Sequence, residues 1–157
     1  MVTRTHYIVG NVGDSRAILV RDTQNGTELI SLSEDHKPDR QSEAARVSKA
    51  GGFVSSESHN TFRGLQTCHR INGKIAVSRA WGDFDFKQQR HLPAEAQLIS
   101  CEPDVEVEER RPGDVIIFAC DGIWDVMSSQ EAAEFYLDTQ ESVGTDLGEI
   151  GEQFIER

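Results

Sequence analysis

A short apolar run followed by two aspartates constrains the fold of this chain more than any other feature. Residues 115–120 read Val-Ile-Ile-Phe-Ala-Cys, and Asp121 and Asp125 follow them closely. Six consecutive apolar residues predict a strand buried on both faces of a sheet, because they are too few for an independent helix. Gly122 predicts a tight turn at the end of that strand. A carboxylate at the edge of an apolar core needs a partner, and a divalent cation held by the two aspartates is the most specific hypothesis.

The composition excludes several classes of protein. The chain has 157 residues, enough for one domain with a real core, and its net charge is −11 from 27 acidic and 16 basic residues. This balance argues against a nucleic-acid or anionic-membrane partner, because no basic stripe is present to contact phosphates. The three cysteines lack zinc-type spacing, and we expect Cys120 to be a small core residue. No apolar run approaches the roughly 18 residues of a membrane span, so we expect a cytoplasmic protein, with the nucleus as the alternative.

The first third of the chain is typical of short antiparallel strands followed by a helix. Residues 6–11 and 15–21 predict two strands joined as a hairpin with Asp14 at its tip, and Asn25-Gly26 predicts a turn into a third strand. A helix is expected from Pro38 to about Ala50, with the following glycines as its stop signal. Residues 53–67 are polar and without period, which indicates a surface loop.

The rest of the chain adds strands and two helices. Asn72-Gly73 predicts a second hairpin, and the alternation around Val105 and Val107 predicts a half-exposed strand before the apolar run. Ser128 with Glu131 forms a capping-box pattern for a helix through about Leu137, and Asp146 with Glu149 predicts another start. These elements predict an α+β protein in which helices cover antiparallel sheets.

Three aspartates are the candidate metal ligands. Asp14 lies at a predicted hairpin tip and Asp121 at a strand end, positions that can meet at one edge of a sheet, and Asp125 can fold back towards Asp121. Mg²⁺ and Mn²⁺ prefer oxygen ligands and retain several waters, so one to three carboxylates suffice. Taken singly, Asp14 is also explained as a turn-forming aspartate and Asp125 as a capping or surface carboxylate. Periodicity alone does not choose between these interpretations.

Five short motifs occur in a fixed order. They are Gly-Asp-Ser-Arg at 13–16, Asp-His-Lys-Pro at 35–38, Ala-Gly-Gly at 50–52, Ala-Val-Ser-Arg-Ala-Trp-Gly-Asp at 76–83 and Ala-Cys-Asp-Gly-Ile-Trp-Asp-Val-Met at 119–127. Together they resemble the metal-dependent serine/threonine protein phosphatases of type 2C over roughly residues 6–135. Each motif alone is a weak signal, whereas five in order are specific.

The resemblance implies an antiparallel β-sandwich flanked by helices, with a binuclear Mg²⁺ or Mn²⁺ centre and a phosphoprotein substrate. In that family a metal-activated water attacks the phosphate directly and no phosphoenzyme forms. Position by position, Asp121 matches a ligand of the binuclear centre, and Asp14 and Asp125 match the carboxylates that share a third metal site with it. Residues of about 53–70 correspond to the variable flap beside the family's cleft. No catalytic side chain other than the metal ligands is assigned.

The chain departs from the family pattern at both ends. The upstream Asp-Gly-His-Gly-Gly segment and the downstream Asp-Asn pair do not occur in residues 1–157. We therefore expect one partial catalytic domain, incomplete at both ends, that is weak or inactive alone and self-associates through exposed sheet edges. Three explanations stay open: a fragment of a true phosphatase, which we favour, a natural pseudophosphatase that binds partners without catalysis, or a sheet completed by a second chain.

Overall fold

The order of strands and helices follows the order of the local sequence signals. In a computed structural model that describes residues 1–61, 64–144 and 146–156, the strands are β1 (His6–Asn11), β2 (Arg16–Thr23), β3 (Gly26–Ser31), β4 (Val54–Thr61), β5 (Gly64–Ile71), β6 (Asp104–Glu109) and β7 (Val115–Ala119). The helices are α1 (Gln41–Lys49), α2 (Asp121–Trp124), α3 (Ser129–Val143) and α4 (Leu147–Glu156), with short 3₁₀ turns at Phe84–Phe86 and Ala94–Ala96.

The chain divides into two compact units, which are described separately. The first unit comprises Met1–Val9, Ser15–Ser33 and Glu106–Arg157, and the second comprises Gly10–Asp14 and Glu34–Val105. No helix among the described residues is both long and apolar enough to cross a membrane.

A three-stranded antiparallel sheet with the order β3-β2-β7 forms the first unit's centre. β2 and β3 form the hairpin predicted from Asn25-Gly26, with Thr23 opposite Gly26. On its other side β2 pairs with β7, so that Ile18 lies opposite Ile117. Ile18 is fully buried, and removing a side chain of this size from water stabilises the fold by about 1.5–3 kcal/mol.

The predicted hairpin between β1 and β2 is wrong. β1 pairs with β6 in a separate two-stranded sheet, while β2 pairs with β3 and β7. The residues between β1 and β2 do form a tight turn, and Gly13 has a φ of +114°. The backbone groups of Gly13 in this turn bond to His36, as described below, and do not close a hairpin between β1 and β2.

The apolar run does form a strand, but it is not the doubly buried central strand that we expected. Among the described residues β7 is an edge strand, and Phe118 exposes 67% of its surface. Cys120, which we expected in the core, is exposed. An unbroken apolar run does not distinguish a central strand from an edge strand, because both faces can be apolar in either position.

The two long helices begin at the predicted caps. The Ser128 hydroxyl accepts the Glu131 N–H at 3.2 Å while the Glu131 carboxylate accepts the Ser128 N–H at 2.7 Å, and this capping box starts α3. α3 continues beyond the predicted end at Leu137, to Val143. It packs on α4 through an edge-to-face contact between Phe135 and Phe154, whose ring centroids are 4.7 Å apart.

The second unit packs α1 on its own apolar cluster. Val47, Ile71 and Ile99 are fully buried at its centre. Residues 53–67 were expected to be irregular, but β4 and β5 pair as an antiparallel hairpin with Ser56 opposite His69. Alternation is absent because the hairpin residues 56–60 and 64–67 are all exposed, so no apolar face imposes a period of two.

The two tryptophans differ in burial. Trp124 is 9% exposed, whereas Trp81 is 77% exposed and is not a core residue.

The predicted turn at Asn72-Gly73 is present. Asn72 and Gly73 both have positive φ, as a tight hairpin turn requires. The turn is closed by an isolated bridge between Ile71 and Ile75 rather than by a second full strand.

Candidate metal centre

Asp14 lies in a turn of the second unit whose backbone is bonded on both sides. Gly13 donates its N–H to Nδ1 of His36 at 3.1 Å, and its carbonyl accepts the backbone N–H of His36 at 3.0 Å. The Asn11 side-chain amide donates to the same carbonyl at 3.1 Å. The turn therefore presents the Asp14 side chain from a fixed backbone.

The carboxylate of Asp14 is partly exposed and already has a cationic partner. Lys37 Nζ donates to Oδ2 of Asp14, and the two side chains are 41% and 23% exposed. A metal ion at this carboxylate would have to compete with the Lys37 ammonium group or use the other oxygen.

Asp121 and Asp125 lie in the first unit, where β7 leaves its sheet. Asp121 is the first residue of α2, and the backbone N–H of Asp125 donates to the Asp121 carbonyl at 2.8 Å. Trp124 anchors this turn, because its indole N–H donates to the Ala119 carbonyl at 2.6 Å and its ring is buried beside Ile18 and Met127. Asp121 and Asp125 are both exposed, so the anchored turn leaves their carboxylates open to solvent.

The donor chemistry of these residues fits a hard divalent cation. Carboxylate oxygens are the ligands that Mg²⁺ and Mn²⁺ prefer, with waters completing the shell. Asp121 and Asp125 belong to one unit and Asp14 to the other. In the part of the chain that the structure describes, no group of three or more His, Cys, Asp or Glu side chains is arranged to hold a metal ion. A cation at these carboxylates would need further ligands from water or from other donors.

A buried carboxylate, Glu43, organises the second unit, and the sequence interpretation missed it. Glu43 is 1% exposed and accepts hydrogen bonds from Ser78 at 2.6 Å, from Arg46 at 2.6 Å and from Arg79 at 2.8 Å. Burial alone would raise the pKa of Glu43, but these bonds outweigh it and hold the pKa at about 2. The signal that could have found it is its spacing, since Glu43 lies four residues before the buried Val47 on α1.

Asp104 continues this network towards the turn that carries Asp14. Its carboxylate accepts hydrogen bonds from Arg79 at 2.7 Å, from Arg40 at 3.1 Å and from His36 at 3.1 Å. Burial raises the pKa of Asp104, but the three donors prevail and lower it to about 2. Arg79 forms ion pairs with both Glu43 and Asp104. A single sequence does not reveal these pairs, because Glu43 and Asp104 lie 36 and 25 residues from Arg79 along the chain.

Comparisons with known proteins agree with the order of motifs. The family model described as Protein phosphatase 2C matches residues 1–156. The chain belongs to the protein phosphatase 2C family. It is 44% identical over 152 residues to Protein phosphatase ppm-1.A of Caenorhabditis elegans, covering 96% of this chain and 29% of that protein. It is 39% identical over 158 residues to Probable protein phosphatase 2C 60 of Arabidopsis thaliana, covering 100% and 40% of the two chains.

Solved structures show that the fold is also that of the family. A phosphatase from a pathogenic strain of Toxoplasma gondii superposes with a TM-score of 0.81 at 33% identity, over 96% of this chain and 43% of that one. The serine-threonine phosphatase 2C from Toxoplasma gondii superposes with a TM-score of 0.71 at 29% identity, over 98% and 49%. The α+β prediction with antiparallel sheets and flanking helices is confirmed. The chain spans well under half the length of the two curated relatives, so it is part of a phosphatase 2C fold.

Proposed function

We propose that the protein to which this chain belongs hydrolyses phosphoserine and phosphothreonine in proteins with the help of Mg²⁺ or Mn²⁺. Its membership of the protein phosphatase 2C family supports the reaction class. The observation that carries the metal assignment is the turn after β7, where Trp124 is buried and Asp121 and Asp125 are both exposed. Two carboxylates four residues apart, held on an anchored turn, form a ready pair of oxygen donors.

In this proposal the chain's aspartates bind the cation, and the turns that carry them orient their carboxylates. The carboxylates of Asp121 and Asp125 hold a cation in the first unit, and the bonded turn of the second unit offers the carboxylate of Asp14 to a cation. When bound, a divalent cation activates a water molecule and neutralises the phosphoryl oxygens. The charge of Asp14 is balanced by Lys37 before any cation binds, which keeps the turn folded without metal.

Binding and hydrolysis can be tested together. Mn²⁺ at millimolar concentration should raise the melting temperature, since a ligand that binds only the folded state stabilises it by mass action. The double variant Asp121→Asn with Asp125→Asn should lose this shift, and Asp138→Asn on α3 should keep it.

Hydrolysis is tested on the longer protein to which this chain belongs. That protein should hydrolyse a phosphothreonine peptide only with Mn²⁺, and its Asp121→Ala variant should lose this activity. The 157-residue chain alone should show little or none.

The alternative function is a binding module without catalysis. The pairing of Asp14 with Lys37 favours it, because an ion pair satisfies a carboxylate that a catalytic centre would devote to a metal. An unchanged melting temperature in Mn²⁺, combined with capture of a partner regardless of its phosphorylation, would favour this module over the phosphatase.

We also infer that the edge strand β7 supports self-association. Phe118 is 67% exposed on this strand, and an uncovered apolar edge is a template for pairing with another chain. Phe118→Ser should shift any dimer in size-exclusion chromatography towards the monomer.

We also propose that the protein is located in the cytoplasm or the nucleus. Microscopy of a fluorescent fusion tests this location.

A further inference from the structure

His36 connects the turn that carries Asp14 to the buried ionic network of the second unit. The imidazole is fully buried, with Nδ1 3.1 Å from the backbone nitrogen of Gly13 and Nε2 3.1 Å from a carboxylate oxygen of Asp104. The backbone of His36 is fixed as well, because its carbonyl accepts from the Ser78 backbone N–H at 2.9 Å and from the Ser78 hydroxyl at 3.0 Å.

The partners of the two ring nitrogens define one tautomer. A backbone N–H can only donate, so Nδ1 of His36 must offer its lone pair to Gly13. The hydrogen of the neutral ring therefore lies on Nε2, where it donates to the carboxylate of Asp104. The other neutral tautomer would point an N–H at the Gly13 N–H and a lone pair at the Asp104 carboxylate, and it would lose both bonds.

Asp104 is a rigid acceptor for this ring. Arg79 and Arg40 hold the same carboxylate at 2.7 Å and 3.1 Å, and Arg79 is in turn bound to the buried Glu43 at 2.8 Å. A hydrogen bond to a fixed ionised group sets both the tautomer and the plane of an imidazole. The ion pairs of Asp104 and Arg79 therefore fix the orientation of the His36 ring, and the ring in turn bonds to Gly13.

The turn that receives this bond needs such support. Gly13 adopts a φ of +114°, a conformation that L side chains rarely adopt. Its N–H and carbonyl both bond to His36, and its carbonyl also accepts the Asn11 amide. The next residue is Asp14, so a change in the Gly13 peptide would redirect the Asp14 side chain.

We propose that His36 is a positioning residue for Asp14: its Nδ1 lone pair accepts the N–H of the Val12–Gly13 peptide, its backbone N–H donates to the carbonyl of the Gly13–Asp14 peptide, and the turn held in this way presents the Asp14 carboxylate to a divalent cation. The inference rests on the proposed function, because it takes Asp14 as a metal ligand. His36 itself contacts no cation in this arrangement. Its role is comparable to that of groups that orient metal ligands from behind, whose loss lowers metal affinity by about 10–100-fold.

Two substitutions at His36 distinguish the role of Nδ1 from the role of Nε2. His36→Asn keeps an acceptor oxygen one bond from the γ carbon, where Nδ1 is, and so can still receive the Gly13 N–H. His36→Gln places its polar atoms one bond further out, near Nε2, so that it can reach Asp104 but not Gly13. We expect Mn²⁺ affinity, measured by calorimetry on the intact protein, to fall by about tenfold in His36→Gln and to be rescued to within about threefold in His36→Asn.

Asp14→Asn tells a failure of this inference from a failure of the proposed metal site. If Asp14→Asn weakens Mn²⁺ binding and His36→Gln does not, His36 does not position Asp14 and the inference is overturned alone. If Asp14→Asn leaves Mn²⁺ binding unchanged, Asp14 is not a ligand, and the inference falls with it. Weakening in both, with rescue by His36→Asn, supports both.

A measurement on the unsubstituted protein keeps the test independent of variant folding. Nitrogen-15 NMR of the ring should show a bare Nδ1 and a protonated Nε2 for His36. A protonated Nδ1 would overturn the inference whatever the variants do. Cooperative melting of both His36 variants confirms that an affinity change does not reflect global unfolding.

Discussion

Arg21 and Asp114 form a bidentate ion pair that is almost completely buried. Nε of Arg21 lies 2.8 Å from Oδ1 of Asp114 and Nη2 lies 2.9 Å from Oδ2, and the two side chains are 3% and 1% exposed. Arg21 is on β2 and Asp114 directly precedes β7, which pairs with β2. The pair therefore fastens the start of β7 to the sheet, at the end opposite to Asp121.

Removing one partner of this pair should be strongly destabilising. Asp114→Ala leaves the Arg21 guanidinium buried without its main counter-charge, which lowers the free energy of unfolding by about 3–5 kcal/mol. Urea denaturation of the purified chain measures this loss. Arg111→Ala is the control, because Arg111 and Glu109 pair with side chains 52% and 65% exposed, and it should change stability by less than about 1 kcal/mol. Similar losses in both variants would contradict the assignment.

The buried carboxylate of Glu43 should make stability fall in acid. Its pKa is about 2 in the folded chain against an ordinary 4.5, so below pH 4.5 the unfolded state binds a proton that the folded state does not. Stability is complete above pH 4.5 and falls as the pH drops towards 2, by up to about 3 kcal/mol from this group. Glu43→Gln should flatten the curve of unfolding free energy against pH in this window. An equally steep curve in the variant would refute the linkage.

Lys37 should compete with a metal ion at Asp14. Its ammonium group is paired with the Asp14 carboxylate, and replacing it by a neutral side chain of similar length removes the competing charge. We expect Lys37→Met to tighten Mn²⁺ binding by up to about fivefold, since a partly exposed pair contributes about 1 kcal/mol at most. Lys74→Met, in the exposed turn after β5, should leave the affinity unchanged. Weaker binding in Lys37→Met would mean that Lys37 orients Asp14 instead.

Gly52 should not tolerate a side chain. A Cβ at this position would lie 2.4 Å from Cδ2 of Leu98 and 3.1 Å from Cγ1 of Val47, and Val47 is fully buried. Gly52→Ala should therefore lower the free energy of unfolding by about 1–3 kcal/mol. Gly151→Ala is the matched control in α4, where a Cβ meets nothing within 4 Å. It should stabilise the chain by about 0.5–1 kcal/mol, and thermal melts of the two variants should move in opposite directions.

Local signals predicted the elements of this fold well. The Ser128–Glu131 capping box, the Asp146 start and the Asn25-Gly26 turn each depend on residues within four positions, and each is present in the structure. Strand partners were predicted less well, because pairing such as that of β1 with β6 joins residues about a hundred positions apart. Periodicity within a strand records which faces are apolar but not which strand lies alongside it.

The same difference between local and long-range signals applies to the candidate site. The position of Asp121 directly after a strand was readable from the sequence and is present in the structure, whereas Asp14 lies in a turn that is not the predicted hairpin tip. His36, Glu43 and Asp104 were missed as a connected group. Their contacts depend on a buried arrangement of charges, and a single sequence shows charged residues without showing which of them are buried.

The contrast between Trp81 and Trp124 gives each unit its own optical reporter. Trp81 belongs to the second unit and is 77% exposed, while Trp124 belongs to the first and is 9% exposed. Iodide in solution should quench the long-wavelength fluorescence of Trp81 selectively, leaving the shorter-wavelength emission of Trp124. Fluorescence alone can thus show whether the two units unfold in one step or one after the other.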